Sequence, residues 1–151
     1  MLDQLIQNAA NLMREQTAAY RRLEHACQQL GGALVNGQPE AIESLTRAGE
    51  TELLRMRARL VELMNALATF ADRHAAAGEN ALSQETRETF RAASHALLEA
   101  ARDFQRTQAR VAAVANNGAT FAATGIQICG VAPLTYRAPY ARRSGEAKIW
   151  A

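Results

Sequence analysis

The sequence predicts an all-α fold: three long helices in an up-down-up antiparallel bundle with coiled-coil-like packing. Three observations predict it. Apolar residues make up 48% of the 151, but aromatics only 5%, so Ala and Leu supply the apolar content and favour thin helical layers over a sheet. Apolar positions recur by alternate steps of three and four along three segments, which places them on one stripe of a helix. Two short breaks rich in Gly, Asn and Pro separate the segments, and short connections make consecutive helices antiparallel neighbours.

The first stripe runs Leu2, Ile6, Ala9, Met13, Gln16, Tyr20, Leu23, Cys27, Leu30, Leu34, with Gln16 its polar member. Gly31-Gly32 weakens the end of this helix, and Asn36-Gly37-Gln38-Pro39 stops it. Pro39 suits the first position of the next helix, where a missing N–H leaves no bond unmade. Glu40 and Glu43 favour that helix's positive end.

The second stripe runs Ile42, Thr46, Gly49, Leu53, Met56, Leu60, Leu63, Leu67, Phe70, His74. Arg47, Glu50, Arg55, Arg57, Arg59 and Glu62 fall on its other faces and are expected in solvent. Residues 75–80, Ala-Ala-Ala-Gly-Glu-Asn, form the next break, with Gly78 as a C-terminal stop and Asn80 or Ser83 as the following cap.

The third stripe is the longest: Phe90, Ala93, Leu97, Ala100, Phe104, Thr107, Val111, Val114, Gly118, Phe121, Gly125, Ile128. Its register holds through Asn116-Asn117-Gly118, a local stop signal, and predicts a helix ending at Gly130. A bundle domain over 1–130 is then followed by a tail over 131–151. The tail has lost the heptad and carries Arg137, Arg142, Arg143 and Lys148 against Glu146, a net charge of +3. That composition predicts a flexible basic segment.

Length sharpens the reading. The first two helices span roughly 50–55 Å each and the third about 70 Å. Beyond about residue 117 the third helix therefore overshoots the bundle, and its stripe has no partner. Phe121 and Ile128 lie on that stripe, while Ala115, Ala119, Ala122 and Ile126 widen it. The small residues Gly118, Ala119, Ala122 and Gly125 permit close backbone approach. An unpartnered apolar stripe marks an interaction site, and an amphipathic partner helix is its natural cover. The competing possibility is self-cover, by the tail or by a break at Gly118.

Catalytic and metal chemistry is not signalled. There is no Cys-x-x-Cys, phosphate-binding loop or nucleophile elbow, and His25, His74 and His95 lack an acidic residue three positions before them. We expect no enzyme activity, cofactor or metal. Cys27 reads as a small core residue, some 30 Å along the bundle from Cys129, too far for a disulfide. Charge is nearly balanced, 17 basic against 15 acidic, which argues against nucleic acid. No apolar run spans a bilayer, and Met1-Leu2-Asp3-Gln4 lacks the features of a signal peptide, so a cytoplasmic location is expected. Trp150 reads equally as a partner anchor or a chance residue.

The run Tyr20-Arg21-Arg22-Leu23-Glu24, then residues 32–45 (Gly-Ala-Leu-Val-Asn-Gly-Gln-Pro-Glu-Ala-Ile-Glu-Ser-Leu), then Glu50-Thr51-Glu52-Leu53-Leu54 through Arg59-Leu60, resembles the FlgN family of flagellar export chaperones. Gln108, Asn116 and Asn117 are similar to the polar residues dotting that family's last helix. Leu134-Thr135-Tyr136, with Gly145 further on, resembles its terminal Tyr motif, although the glycine comes later than usual. The resemblance implies a cytosolic chaperone of type III secretion that serves bacterial flagellum biogenesis. Such a chaperone binds C-terminal helical segments of hook–filament junction proteins, prevents premature assembly and delivers them to the export gate. Combined with the overhang, it places cargo on Val114, Gly118, Phe121, Ala122, Gly125, Ile126 and Ile128, and makes Tyr136 the candidate gate contact. The alternative is a structural coiled-coil protein whose stripes drive homo-oligomerisation. Weak self-association is compatible with either.

Overall fold

The computed structural model describes residues 1–77 and 82–128, with side chains as far as Thr120. Three helices make up the fold: α1 (Leu2–Val35), α2 (Pro39–Ala77) and α3 (Gln84–Ile128). No strand occurs among the described residues. Cys129, Gly130 and the predicted tail with Tyr136 lie outside them.

The turn between α1 and α2 follows from its residues. Helix α1 runs through Gly31 and Gly32 without a break. Gly37 then adopts φ +62°, the left-handed conformation that glycine reaches without a Cβ clash. This lets the Gln38 N–H donate to the Ala33 carbonyl at 3.0 Å and the Gly37 N–H to Leu34 at 3.4 Å. The pair is the Schellman arrangement that satisfies a helix's last carbonyls. Pro39 opens α2, as its sequence position predicts. Helix α2 continues through the three alanines to Ala77, past the predicted start of the break.

The cap of α3 is Ser83, whose Oγ accepts the Thr86 N–H at 3.2 Å. Asp3, at the start of α1, accepts the Ser83 N–H at 3.2 Å. These hydrogen bonds hold the Asp3 carboxyl below the ordinary Asp range, the Ser83 backbone bond contributing most. The first turns of α1 and α3 are thereby tied together.

Cross-helix pairs set the directions. Gln16 bonds Met56 and Arg22 bonds Glu52, so residue numbers rise on α1 as they fall on α2. Asp3 meets Ser83, Arg21 meets Asp103 and Glu24 meets Thr107, so α3 runs parallel to α1 with an offset of 80 to 83 residues. Helix α1 is the spine of the fold. Both other helices pack on it, while no α2 backbone comes within 8 Å of α3, Cα to Cα.

The core reflects that arrangement. One cluster gathers Ala9, Ala10 and Met13 of α1 with Leu63 of α2 and Ala93 of α3; Phe90, Leu97 and Leu67 pack around it. A second joins Ala19, Leu23, Met56 and Phe104, and there the Tyr20 and Phe104 rings lie 5.8 Å apart. Every predicted stripe position of α1 is buried or half-buried. Ala10, Ala19 and Ala33 are buried as well, because a central helix is covered from two sides.

Helix α2 departs from its predicted stripe. Leu53 and Leu60 are exposed, while Glu52 and Arg59, one residue earlier in each case, are turned inward and only 15% and 31% accessible. Arg59 is therefore not on the solvated face where the sequence placed it. The cause is a polar belt facing α1. Glu52 accepts Arg22 at 2.8 Å and lies 3.8 Å from Arg55 and 3.9 Å from Arg59. Gln16, 4% exposed, donates to the Met56 carbonyl at 3.3 Å. Turning the charges toward α1 rotates the two leucines outward.

Candidate docking site

Helix α3 passes Asn116-Asn117-Gly118 without a break and continues to Ile128. With an offset of 80 to 83 residues, the last residue of α1, Val35, is level with residues 115–118. The remaining turns of α3 extend roughly 15–20 Å further, and no helix of the described residues lies alongside them. A backbone overhang at the predicted place is thus present.

At its root lies a groove of about 410 Å³ between the end of α1 and α3, lined by Gln28, Gly31, Gly32, Val35, Asn36, Thr107, Arg110, Val111 and Val114. Glycine builds it. A Cβ on Gly31 would stand 3.2 Å from a Val111 methyl, whereas one on Gly32 would meet open space. The first glycine brings the helices together and the second leaves the groove open. Val35 at its rim is 72% exposed.

Of the predicted cargo residues, Val114 lies in this groove, 38% exposed, and Gly118 is helical and exposed. Phe121, Ala122, Gly125, Ile126 and Ile128 continue the same helix, their side chains falling outside the described part. One correction applies at this end. The inward row is Val111, Ala115, Ala119, while Val114 and Gly118 face solvent. A strict heptad drifts about 20° per repeat on a straight helix, and over the length of α3 this carries the inward row from steps of three and four to steps of four. The alanine row that widened the predicted stripe becomes the inner one. The glycine pair of α1 was not expected to take part. Its signal was present as two adjacent glycines within a continuing helix.

A second apolar surface was not foreseen. Along the outer side of α2, Leu54 is 66% exposed, Met64 62%, Val61 60%, Leu60 46% and Leu53 41%. Rows at i, i+7 (53 and 60, 54 and 61) make them one patch about 16 Å long. Arg57 sits within it.

Among the described residues, no three His, Cys, Asp or Glu side chains are grouped to hold a metal ion, and no helix is long and apolar enough to cross a membrane. His25 is exposed, His95 lies 3.7 Å from Glu99 on the surface, and the His74 ring packs 5.2 Å from Phe70. Cys27 is half-buried beside the Leu23 cluster, and its desolvation pushes the thiol pKa up, which disfavours the reactive thiolate. No protein family matches the chain, and neither does any curated protein or solved structure.

Proposed function

We propose that this chain is a cytoplasmic, non-enzymatic flagellar export chaperone. It binds C-terminal helical segments of hook–filament junction proteins, holds them from premature assembly and hands them to the export gate of the type III secretion apparatus. The observation that supports this reading best is the continuous α3, which projects past α1 from a glycine-built groove. An amphipathic cargo helix laid in that groove and along the overhang covers Val114 and the apolar positions beyond it. In this reading the bundle is an up-down-up scaffold, and residues 131–151, with Tyr136, form the flexible arm that reaches the gate.

The test is titration calorimetry with junction-protein C-terminal segments. Burying a side chain such as Phe121 or Ile128 contributes about 1.5–3 kcal/mol. The double variant Phe121→Asp, Ile128→Asp also places charge in an apolar groove, so affinity should fall several-hundredfold, about 4 kcal/mol, with helicity and Tm unchanged. Unchanged affinity places the cargo elsewhere. A variant that unfolds makes this part of α3 core instead.

A further inference from the structure

We propose that the outer face of α2 is the interface of a homodimer, in which two α2 helices pair antiparallel about a two-fold axis near residue 59. This inference is independent of the export reading, since it concerns a different helix and a different surface.

The size of the patch is the first argument. Leu53, Leu54, Leu60, Val61 and Met64 leave on the order of 500 Å² of apolar side chain open on one face, in the upper part of the roughly 300–600 Å² that the largest patch on a monomer covers, a patch that is often functional. Two such faces together approach the roughly 1,000 Å² that a specific interface needs, before any flanking surface is added. The patch also results from construction. Helix α2 turns Glu52 and Arg59 toward α1 and presents leucines outward.

Symmetry of the flanking charges is the second argument, and it selects a second copy as the occupant. Arg47 and Asp72 are 25 residues apart, close to seven turns, so they lie on the same edge of α2. Their midpoint falls between residues 59 and 60; that of the patch, from Leu53 to Met64, falls between 58 and 59. In an antiparallel helix pair like edges face each other. A two-fold axis at that shared midpoint therefore sets Arg47 against the partner's Asp72 at one end and repeats the contact at the other. Both residues are exposed. Arg47 holds only a surface pair with Glu43 one turn away, and Asp72 has no ion-pair partner among the described residues. Antiparallel pairing also offsets the two Arg57 side chains along the axis, and their aliphatic stems cover apolar surface while the guanidinium groups reach the rim.

Sedimentation equilibrium of the full chain tests this. At about 100 µM the mass should be twice 16.4 kDa. The variant Leu54→Glu, Val61→Glu should be monomeric with unchanged helicity. Arg47→Asp should weaken the dimer roughly threefold to tenfold, as expected for two exposed ion pairs, and adding Asp72→Arg in the same chain should restore it. Restoration by that swap distinguishes a two-fold pair from indiscriminate association. Arg57→Leu should tighten the dimer; weakening instead would identify a face built for a partner bearing a carboxylate and would overturn the proposal. A monomeric wild type overturns it too, and a second readout then tells what covers the face. Loss of stability in Leu54→Glu, Val61→Glu would point to the chain's own residues, and unchanged stability to another protein. A dimer that survives that variant, or a double swap no better than the single one, also overturns it.

Discussion

Helices α1 and α2 are of similar length and carry the same heptad signature, yet α1 buries eight residues and α2 only two. Position in the fold accounts for the difference. Helix α1 lies between two neighbours, so its alanines at 10, 19 and 33 are covered along with its predicted stripe. Helix α2 has its backbone close to α1 alone and meets α3 through side chains such as Leu63. It devotes the middle of its contact with α1 to Glu52, Arg59 and the Gln16 amide rather than to leucines. A heptad shows that one side of a helix can be buried; the number of neighbours decides how much of the helix is.

The comparison is broken most directly at matched leucines. Leu23 of α1 is 3% exposed and Leu54 of α2 is 66% exposed. Leu23→Ala should cost about 2–5 kcal/mol in urea unfolding, through lost burial and the cavity left behind. Leu54→Ala should change the stability of the protomer by no more than about 0.5 kcal/mol, measured at concentrations too low for self-association. Equal losses would mean that α2 is packed as deeply as α1.

The polar belt offers a smaller and more specific effect. Glu52→Ala leaves Arg22 of α1 and Arg55 and Arg59 of α2 without the acid they share. A fully buried pair broken in this way loses about 3–5 kcal/mol, but these arginines reach solvent, and we expect about 1–2 kcal/mol. Because the belt is partly wet, the difference between wild type and variant should shrink in high salt. A salt-independent loss would show that Glu52 acts through packing.

The smallest effect lies where α1 meets the start of α3. Asp3 has its folded pKa lowered below 3.8 by the Ser83 and Thr86 hydrogen bonds. A lowered carboxylate contributes stability above its unfolded pKa and loses it as pH falls through the folded value. Acid titration of stability below about pH 4 should therefore be slightly flatter in Asp3→Asn than in wild type, and the two should run parallel at neutral pH. Parallel curves throughout would mean that the Asp3–Ser83 tie does not persist in solution.

The overhang of α3 was legible in the sequence because it depends on length. Counting residues between the breaks gave an overhang beginning near residue 117, and the described α3 extends past the end of α1 from the same level. The groove at its root was less legible. Gly31 and Val111 are far apart in the chain, and only the parallel packing of α1 and α3 brings them together. The exposure of Val114 and Gly118 beside half-buried Ala115 and Ala119 depends on how far α3 supercoils, which a seven-residue pattern cannot specify.

Local chemistry alone determined three helices, their order, the Gly37 turn and the Pro39 start, and narrowed the cap of α3 to Asn80 or Ser83, since each depends on groups within a few residues of one another. It also placed Ile6, Ala9, Met13, Gln16 and Leu23 of α1 in the core, because a helix covered on both sides tolerates an error in rotation. Only the tertiary structure decided that α1 would be the central helix, that Glu52 and Arg59 would turn toward it, and that Leu53 and Leu60 of α2 would face outward. Rotating a helix by one residue exchanges one stripe for the next, about 100° around the axis. When leucines and charged groups occupy adjacent stripes, as they do on α2, the partners available on the neighbouring helix determine which stripe turns inward. For α2 those partners were Arg22 and Gln16.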